Sequence, residues 1–147
     1  MDGKLAVRRD FLKIGGVAAV GGLTGALSSA AAAAPKTRVV AVSDIRPWKA
    51  VSFNFPADAP AMLLDAGEPI PGGVGPKKSI VAFSTLCHHM GCPLNFDEKS
   101  HQFVCGCHAS VFDPTRGGMA VEGPATRGLP RVSLTIENGA VYAVGIS

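Results

Sequence analysis

The chain is 147 residues long, with a formal net charge of +3, 18 glycines, 11 prolines and 4 cysteines, which suffices for one domain with a modest core. Four Lys/Arg against two Asp/Glu fall in the first 34 residues, leaving ten against nine in the rest. The body of the protein is therefore nearly neutral, which excludes the basic face that tracks phosphates, and nucleic acid is not an expected partner.

In chain order, the first element is a targeting segment over residues 1–34. It carries Arg8-Arg9-Asp10-Phe11-Leu12-Lys13, then a Gly- and Ala-rich apolar stretch over 14–34, then Pro35. The paired arginines followed by Phe-Leu-Lys resemble a bacterial twin-arginine (Tat) signal, although Val7 stands where Ser or Thr is usual. Weak hydrophobicity suits that export route better than a Leu-rich one. The stretch is 21 residues, and about 20 can span a bilayer, so a cleaved signal and a retained membrane anchor both stay open. Ala-x-Ala choices around 30–34 favour cleavage. Either outcome places the rest of the chain in the periplasm, free or tethered to the inner membrane.

From residue 35 to 147 short apolar runs alternate with turn signals, and no stretch has sustained helical periodicity. This predicts an all-β domain with strands over 38–42, 51–55, 61–64, 80–84, 102–105, 132–137 and 140–144. Asn138-Gly139 is the clearest turn, because both residues tolerate positive φ. The Pro- and Gly-rich run over 69–76 reads as a loop, either a docking surface or a connection. Residues 94–96 and 102–105 form a predicted hairpin around the polar turn Asp97-Glu98-Lys99-Ser100.

That hairpin is bracketed by Cys87-His88-His89-Met90-Gly91-Cys92 and Cys105-Gly106-Cys107-His108-Ala109-Ser110, which hold all 4 cysteines and three of the 4 histidines. Read as C-x-H-x-G-C and C-x-C-H-x-S, they describe a metal site. Two thiolates with two imidazoles are the ligand set of a Rieske 2Fe-2S cluster, in which histidines replace cysteines on one iron. The same four donors also suit a Cys2His2 zinc site, which accounts for neither Gly91 nor the two extra cysteines. The C-x-H spacing selects His89 over His88. His101 reads as a solvated turn residue and Met90 as an apolar cover.

The chain resembles a Rieske protein: an antiparallel β-sandwich with a small cluster-binding subdomain at about 85–128. The resemblance implies that Cys87 and Cys105 bind the inner iron and His89 and His108 the outer one. It also implies a disulfide between Cys92 and Cys107, two free buried thiols being the alternative. Around the cluster, Gly91 and Gly106 let backbone N–H groups approach the sulfides, with Ser110, Phe112 and Pro124 nearby. Ser110 keeps the hydroxyl that Rieske proteins of cytochrome bc complexes aim at sulfur, whereas Phe112 stands where those proteins carry Tyr. One missing donor implies a potential below the upper end of the roughly −150 to +300 mV Rieske range.

The flanking runs Pro71-Gly72-Gly73-Val74-Gly75-Pro76, Ile80 through Cys87, Val111-Phe112-Asp113-Pro114 with Gly117-Gly118, and Gly123-Pro124-Ala125-Thr126 with Leu129-Pro130 resemble the small Rieske subunit of arsenite oxidase. That resemblance implies a relay, with no substrate-transforming residues of its own. Its expected partners are a large molybdopterin subunit with a 3Fe-4S cluster and, as electron acceptor, a soluble cytochrome c or small copper protein. The alternatives are a Rieske subunit of a related molybdenum oxyanion enzyme, such as iodate reductase, or of a quinol-oxidising cytochrome bc-type complex.

Overall fold

The computed structural model describes residues 36–147, so the targeting segment and the choice between signal and anchor lie outside it. Ten strands run in chain order: β1 Thr37–Ala41, β2 Val51–Asn54, β3 Pro60–Asp65, β4 Ile80–Ser84, β5 Leu94–Asp97, β6 Gln102–Cys105, β7 Val111–Asp113, β8 Met119–Glu122, β9 Arg131–Glu137 and β10 Ala140–Ile146. They form a six-stranded sheet ordered β1-β10-β9-β4-β3-β2 and a four-stranded sheet ordered β5-β6-β7-β8. All strand pairings in the two sheets are antiparallel, as expected for an all-β chain. Among the described residues no helix is long and apolar enough to cross a membrane.

Strand β4 shows why the two sheets hold together. Its sequence Ile80-Val81-Ala82-Phe83 is apolar without interruption, the pattern of a strand buried on both faces, and all four residues are 4% exposed or less. Side chains alternate across a strand, so its two faces feed two cores. Ile80 and Ala82 pack with Leu63, Val132 and Val141 inside the larger sheet. Val81 and Phe83 pack with Leu64, Phe103, Phe112 and Leu129, between the larger sheet and the smaller one. Phe103 meets Phe83 edge-on at 6.0 Å and Phe96 at 5.3 Å between ring centroids. Cys87 and Cys105 belong to this second core, so the candidate ligands grow directly out of packed hydrophobic structure.

The β9–β10 hairpin turns on Asn138 and Gly139 at φ +48° and +72°, the positive values that the Asn-Gly pair predicts. Strands β7 and β8 are not announced by any sequence pattern. Strand β7 has three residues, too few for a period to register, and β8 alternates only weakly between half-buried and exposed positions. The 69–76 run is also more ordered than a free loop. Ile70 is buried, Val74 bridges Ile80, and a side chain on Gly73 would begin 2.0 Å from the Lys78 carbonyl.

Between β7 and β8 the chain makes one short helical turn, Pro114–Arg116, and its start is fixed locally. The Asp113 carboxylate accepts from the Thr115 N–H at 2.9 Å and its hydroxyl at 2.7 Å, while Pro114 supplies a preset φ at the first position. Asp113→Ala is expected to lower stability by about 1 kcal/mol, the usual loss of an N-cap. Urea unfolding checks this, with an unchanged midpoint counting against the cap.

Candidate metal centre

Two loops project from the second core, residues 87–92 between β4 and β5 and residues 105–110 between β6 and β7, and they share one backbone plan. In the first, the Cys87 N–H donates to the Cys92 carbonyl at 2.8 Å and the Gly91 N–H to the Cys87 carbonyl at 2.7 Å. In the second, the Cys105 N–H donates to the Ser110 carbonyl at 2.8 Å and the Ala109 N–H to the Cys105 carbonyl at 3.0 Å. Each loop is thus closed at its neck on its leading cysteine. The closure needs a left-handed residue four positions on, met by Gly91 at φ +74° and by Ala109 at φ +56°. Glycine takes that conformation freely, whereas alanine pays about 1 to 2 kcal/mol for it. Ala109, beside His108, is therefore a strained position that no sequence pattern announced.

The disulfide expected from the resemblance is present: Cys92 and Cys107 are bonded, with their Cα atoms 6.5 Å apart, and tie the loops together. The sulfurs of Cys92, Cys105 and Cys107 lie within 4.8 Å of one another, but two of them are consumed by the disulfide. The thiols free to bind metal are Cys87 and Cys105, each 2% exposed. Burial pushes the Cys105 thiol up, yet N–H groups of Cys107 and His108 and the Cys87 thiol aimed at its sulfur outweigh burial and hold it below the usual thiol range. The loop N–H groups thereby offset the cost that burial would impose on a charged sulfur.

The imidazoles sit at the solvent end. His89 and His108 are exposed and meet edge to face, with centroids 4.7 Å apart and planes at 90°. His88 is exposed and forms no such pair, in keeping with the spacing argument for His89. The result is an asymmetric donor set of two buried sulfurs below and two exposed imidazole edges above. That asymmetry fits a two-iron cluster with unlike ends better than a single tetrahedral ion.

Ser110 adds a second test of fit. It is fully buried, and its Oγ accepts the Ala125 N–H at 3.1 Å. Accepting one bond leaves the hydroxyl hydrogen to donate, and it finds no protein acceptor among the described residues. Such a donor, in the loop that carries Cys105, suits a cluster sulfur. The Gly123-Pro124-Ala125 segment that supplies the N–H presses on this loop: a side chain on Gly123 would begin 2.5 Å from the Ser110 Cα. Pro124 itself is exposed. Phe112 is fully buried in the core beneath.

Protein contacts decide neither the Gly106 nor the Met90 expectation, while that for His101 changes. Gly106 has neither a positive φ nor a protein atom within 4 Å of where a Cβ would stand, so protein packing does not demand glycine there. Met90 is 70% exposed and covers nothing in the protein. His101 is half-buried rather than solvated, stacked on Trp48 with centroids 4.0 Å apart. With the neighbouring Lys49–Glu98 ion pair, that stack fastens the 47–49 loop to the β5–β6 hairpin. No local pattern announces this stack, because the two partners are more than fifty positions apart.

Cys107→Ser is expected to lower stability by about 3 kcal/mol, the value for a closed loop of this length, since the bonded cysteines are 15 residues apart. Denaturant unfolding under non-reducing conditions measures it. Equal midpoints for variant and wild type would mean that the clamp contributes nothing to stability.

Comparison with known proteins agrees with this geometry. The model of the Rieske [2Fe-2S] domain matches residues 36–133. The chain is 34% identical over 150 residues to the iodate reductase subunit IdrB of Pseudomonas sp. (strain SCT), covering 95% of this chain and 78% of that protein. It is 35% identical over 148 residues to the IdrB subunit of Denitromonas iodatirespirans, covering 95% and 80%. Among solved structures, the soluble domain of the Rieske protein II (soxF) from Sulfolobus acidocaldarius superposes with a TM-score of 0.66 at 28% identity, over 79% of this chain and 80% of that one. The domain match spans well over half of the chain, and the chain belongs to the Rieske [2Fe-2S] family.

Proposed function

We propose that this chain is the Rieske electron-transfer subunit of a periplasmic oxidoreductase acting on an oxyanion, most closely of the iodate reductase type. The observation that carries the reading is the likeness to two iodate reductase subunits over 95% of this chain and about four-fifths of each of theirs. Cys87 and Cys105 would hold the buried iron and His89 and His108 the exposed one. When bound, a 2Fe-2S cluster supplies one-electron chemistry at a potential set by its surroundings. The chain's own residues do the rest. The core beneath Cys87 and Cys105 excludes water from one end of the site, the loop N–H groups and the Ser110 hydroxyl favour added negative charge, and the exposed imidazole edges give a short path to a docked partner.

The partner would be a large catalytic subunit with molybdopterin and a 3Fe-4S cluster, as the resemblance of the flanking runs implies. In a reductase, electrons would pass through this chain toward that subunit. The second reading, an arsenite oxidase small subunit, is favoured by the flanking runs at 71–76 and 123–130. It reverses the flow, with a cytochrome c or small copper protein as acceptor. Export by the twin-arginine route is supported by Arg8-Arg9 and by the Cys92–Cys107 disulfide, a bond that persists in oxidising compartments.

Affinity capture of the chain from its native periplasm, with metal analysis of what accompanies it, tests the proposal. Molybdenum in the partner, with iodate-dependent reoxidation of the reduced cluster, is the expected result. Arsenite-dependent reduction instead would establish the second reading. A copurifying cytochrome b without molybdenum would overturn both.

Ser110→Ala should lower the reduction potential, since it removes a buried donor that favours the reduced, more negative site. A charge-assisted hydrogen bond is worth about 1.5 kcal/mol or more, which for one electron is about 60 mV. Direct electrochemistry reads the change, and an equal or higher potential would exclude the hydroxyl from this role.

A further inference from the structure

Three sulfurs crowd the point where the two loops meet, those of Cys92, Cys105 and Cys107, all within 4.8 Å of one another. Two are joined as the disulfide, and the third is a free thiol on a residue 2% exposed. A thiol held beside a disulfide is the arrangement that exchange requires. We propose that whenever the iron–sulfur cluster is not bound, Cys105 attacks Cys92 and displaces Cys107, converting the native clamp into a Cys92–Cys105 disulfide.

The step balances within the chain. The Cys105 thiol gives its proton to water and its sulfur bonds to the Cys92 sulfur. The Cys92–Cys107 bond breaks, and Cys107 leaves with the bonding pair and takes up a proton. Two thiols and one disulfide exist before and after, so no oxidant is consumed. Attack on Cys92 is preferred to attack on Cys107, because a Cys105–Cys107 bond would close a ring across a single residue, whereas Cys92 approaches from the other loop. Cys107 is exposed, so the leaving group is released where water can protonate it.

Ligation of the Cys105 sulfur removes the nucleophile and preserves the clamp. Exchange in the unloaded chain withdraws Cys105 from the ligand set and leaves a protein that cannot take up a cluster until it is reduced. Loading must then precede arrival in an oxidising compartment. This consequence rests on Cys105 being a ligand, as proposed above, whereas the exchange rests only on where the sulfurs lie.

The test begins with the loaded full-length protein, whose iron content is measured first, so that a wrong ligand assignment shows itself independently. The cluster is stripped with a chelator, without oxygen or reductant. The protein is held at neutral pH, then alkylated, digested and mapped by mass spectrometry. The expected product carries the Cys92–Cys105 link with Cys87 and Cys107 alkylated, while the loaded protein and the Cys105→Ser variant keep Cys92–Cys107. Persistence of Cys92–Cys107 in the stripped wild type would overturn the proposal. Equal incorporation of Cys87 and Cys105 into new disulfides would overturn it too, being the mark of an unfolded chain rather than of this geometry.

Discussion

Cys105→Ala is expected to give a folded chain with no cluster. The substitution removes one of two buried free cysteine sulfurs, and the N–H groups of Cys107 and His108 that face its sulfur would then converge on a methyl group. Three remaining donors cannot complete a four-donor site, and a site lined by unpaired N–H groups does not favour an anionic sulfide cluster. His108→Ala should also lose the cluster, from the exposed end, as the ligand role proposed above requires. The control is His88→Ala, which adjoins His89 and should retain full iron content. Iron and sulfide analysis, with EPR of the dithionite-reduced protein, separates the three. A Cys105→Ala protein that still shows the reduced-cluster signal would break the ligand assignment, and so would a His88→Ala protein that loses it.

The ligand loops were legible in the sequence because metal chemistry constrains residue type at short spacing. Cys87 with His89, and Cys105 with His108, are recognisable without any fold. Strand β4 and the Asn138-Gly139 turn were legible for a similar reason, each being decided by a few adjacent residues. What stayed hidden is what joins distant positions. The Trp48–His101 stack, the Gly123 contact on Ser110 and the order of the two sheets depend on partners that no local pattern names. Ala109 was hidden for the opposite reason: its left-handed backbone is imposed by the loop closure on Cys105, against the preference of its own residue type. The flanking runs carried family resemblance but no physical rule tying them to a substrate. Choosing between iodate and arsenite therefore belongs to the partner subunit's chemistry.

Gly123→Ala should strongly disrupt the second cysteine–histidine loop. The residue has φ +84°, and the added carbon would begin 2.5 Å from the Ser110 Cα, 2.7 Å from the Ala109 oxygen and 2.8 Å from the Ser110 nitrogen. All three are backbone atoms of the second ligand loop, so no side chain can swing aside to make room. Either residues 123–125 retreat, breaking the Ala125 N–H to Ser110 Oγ bond, or the loop shifts and carries His108 with it. The left-handed backbone adds about 1 to 2 kcal/mol, and the displaced contacts bring the total to about 4 kcal/mol or more. That corresponds to a melting midpoint lower by more than about 10 °C for a domain of this size. Gly139→Ala supplies the comparison, because Gly139 has nearly the same backbone strain at φ +72° but no atom within 4 Å of the added carbon. It should show the backbone term alone, with an unchanged reduction potential. If the two variants melt together, the Gly123 contact is not what holds the second loop in place.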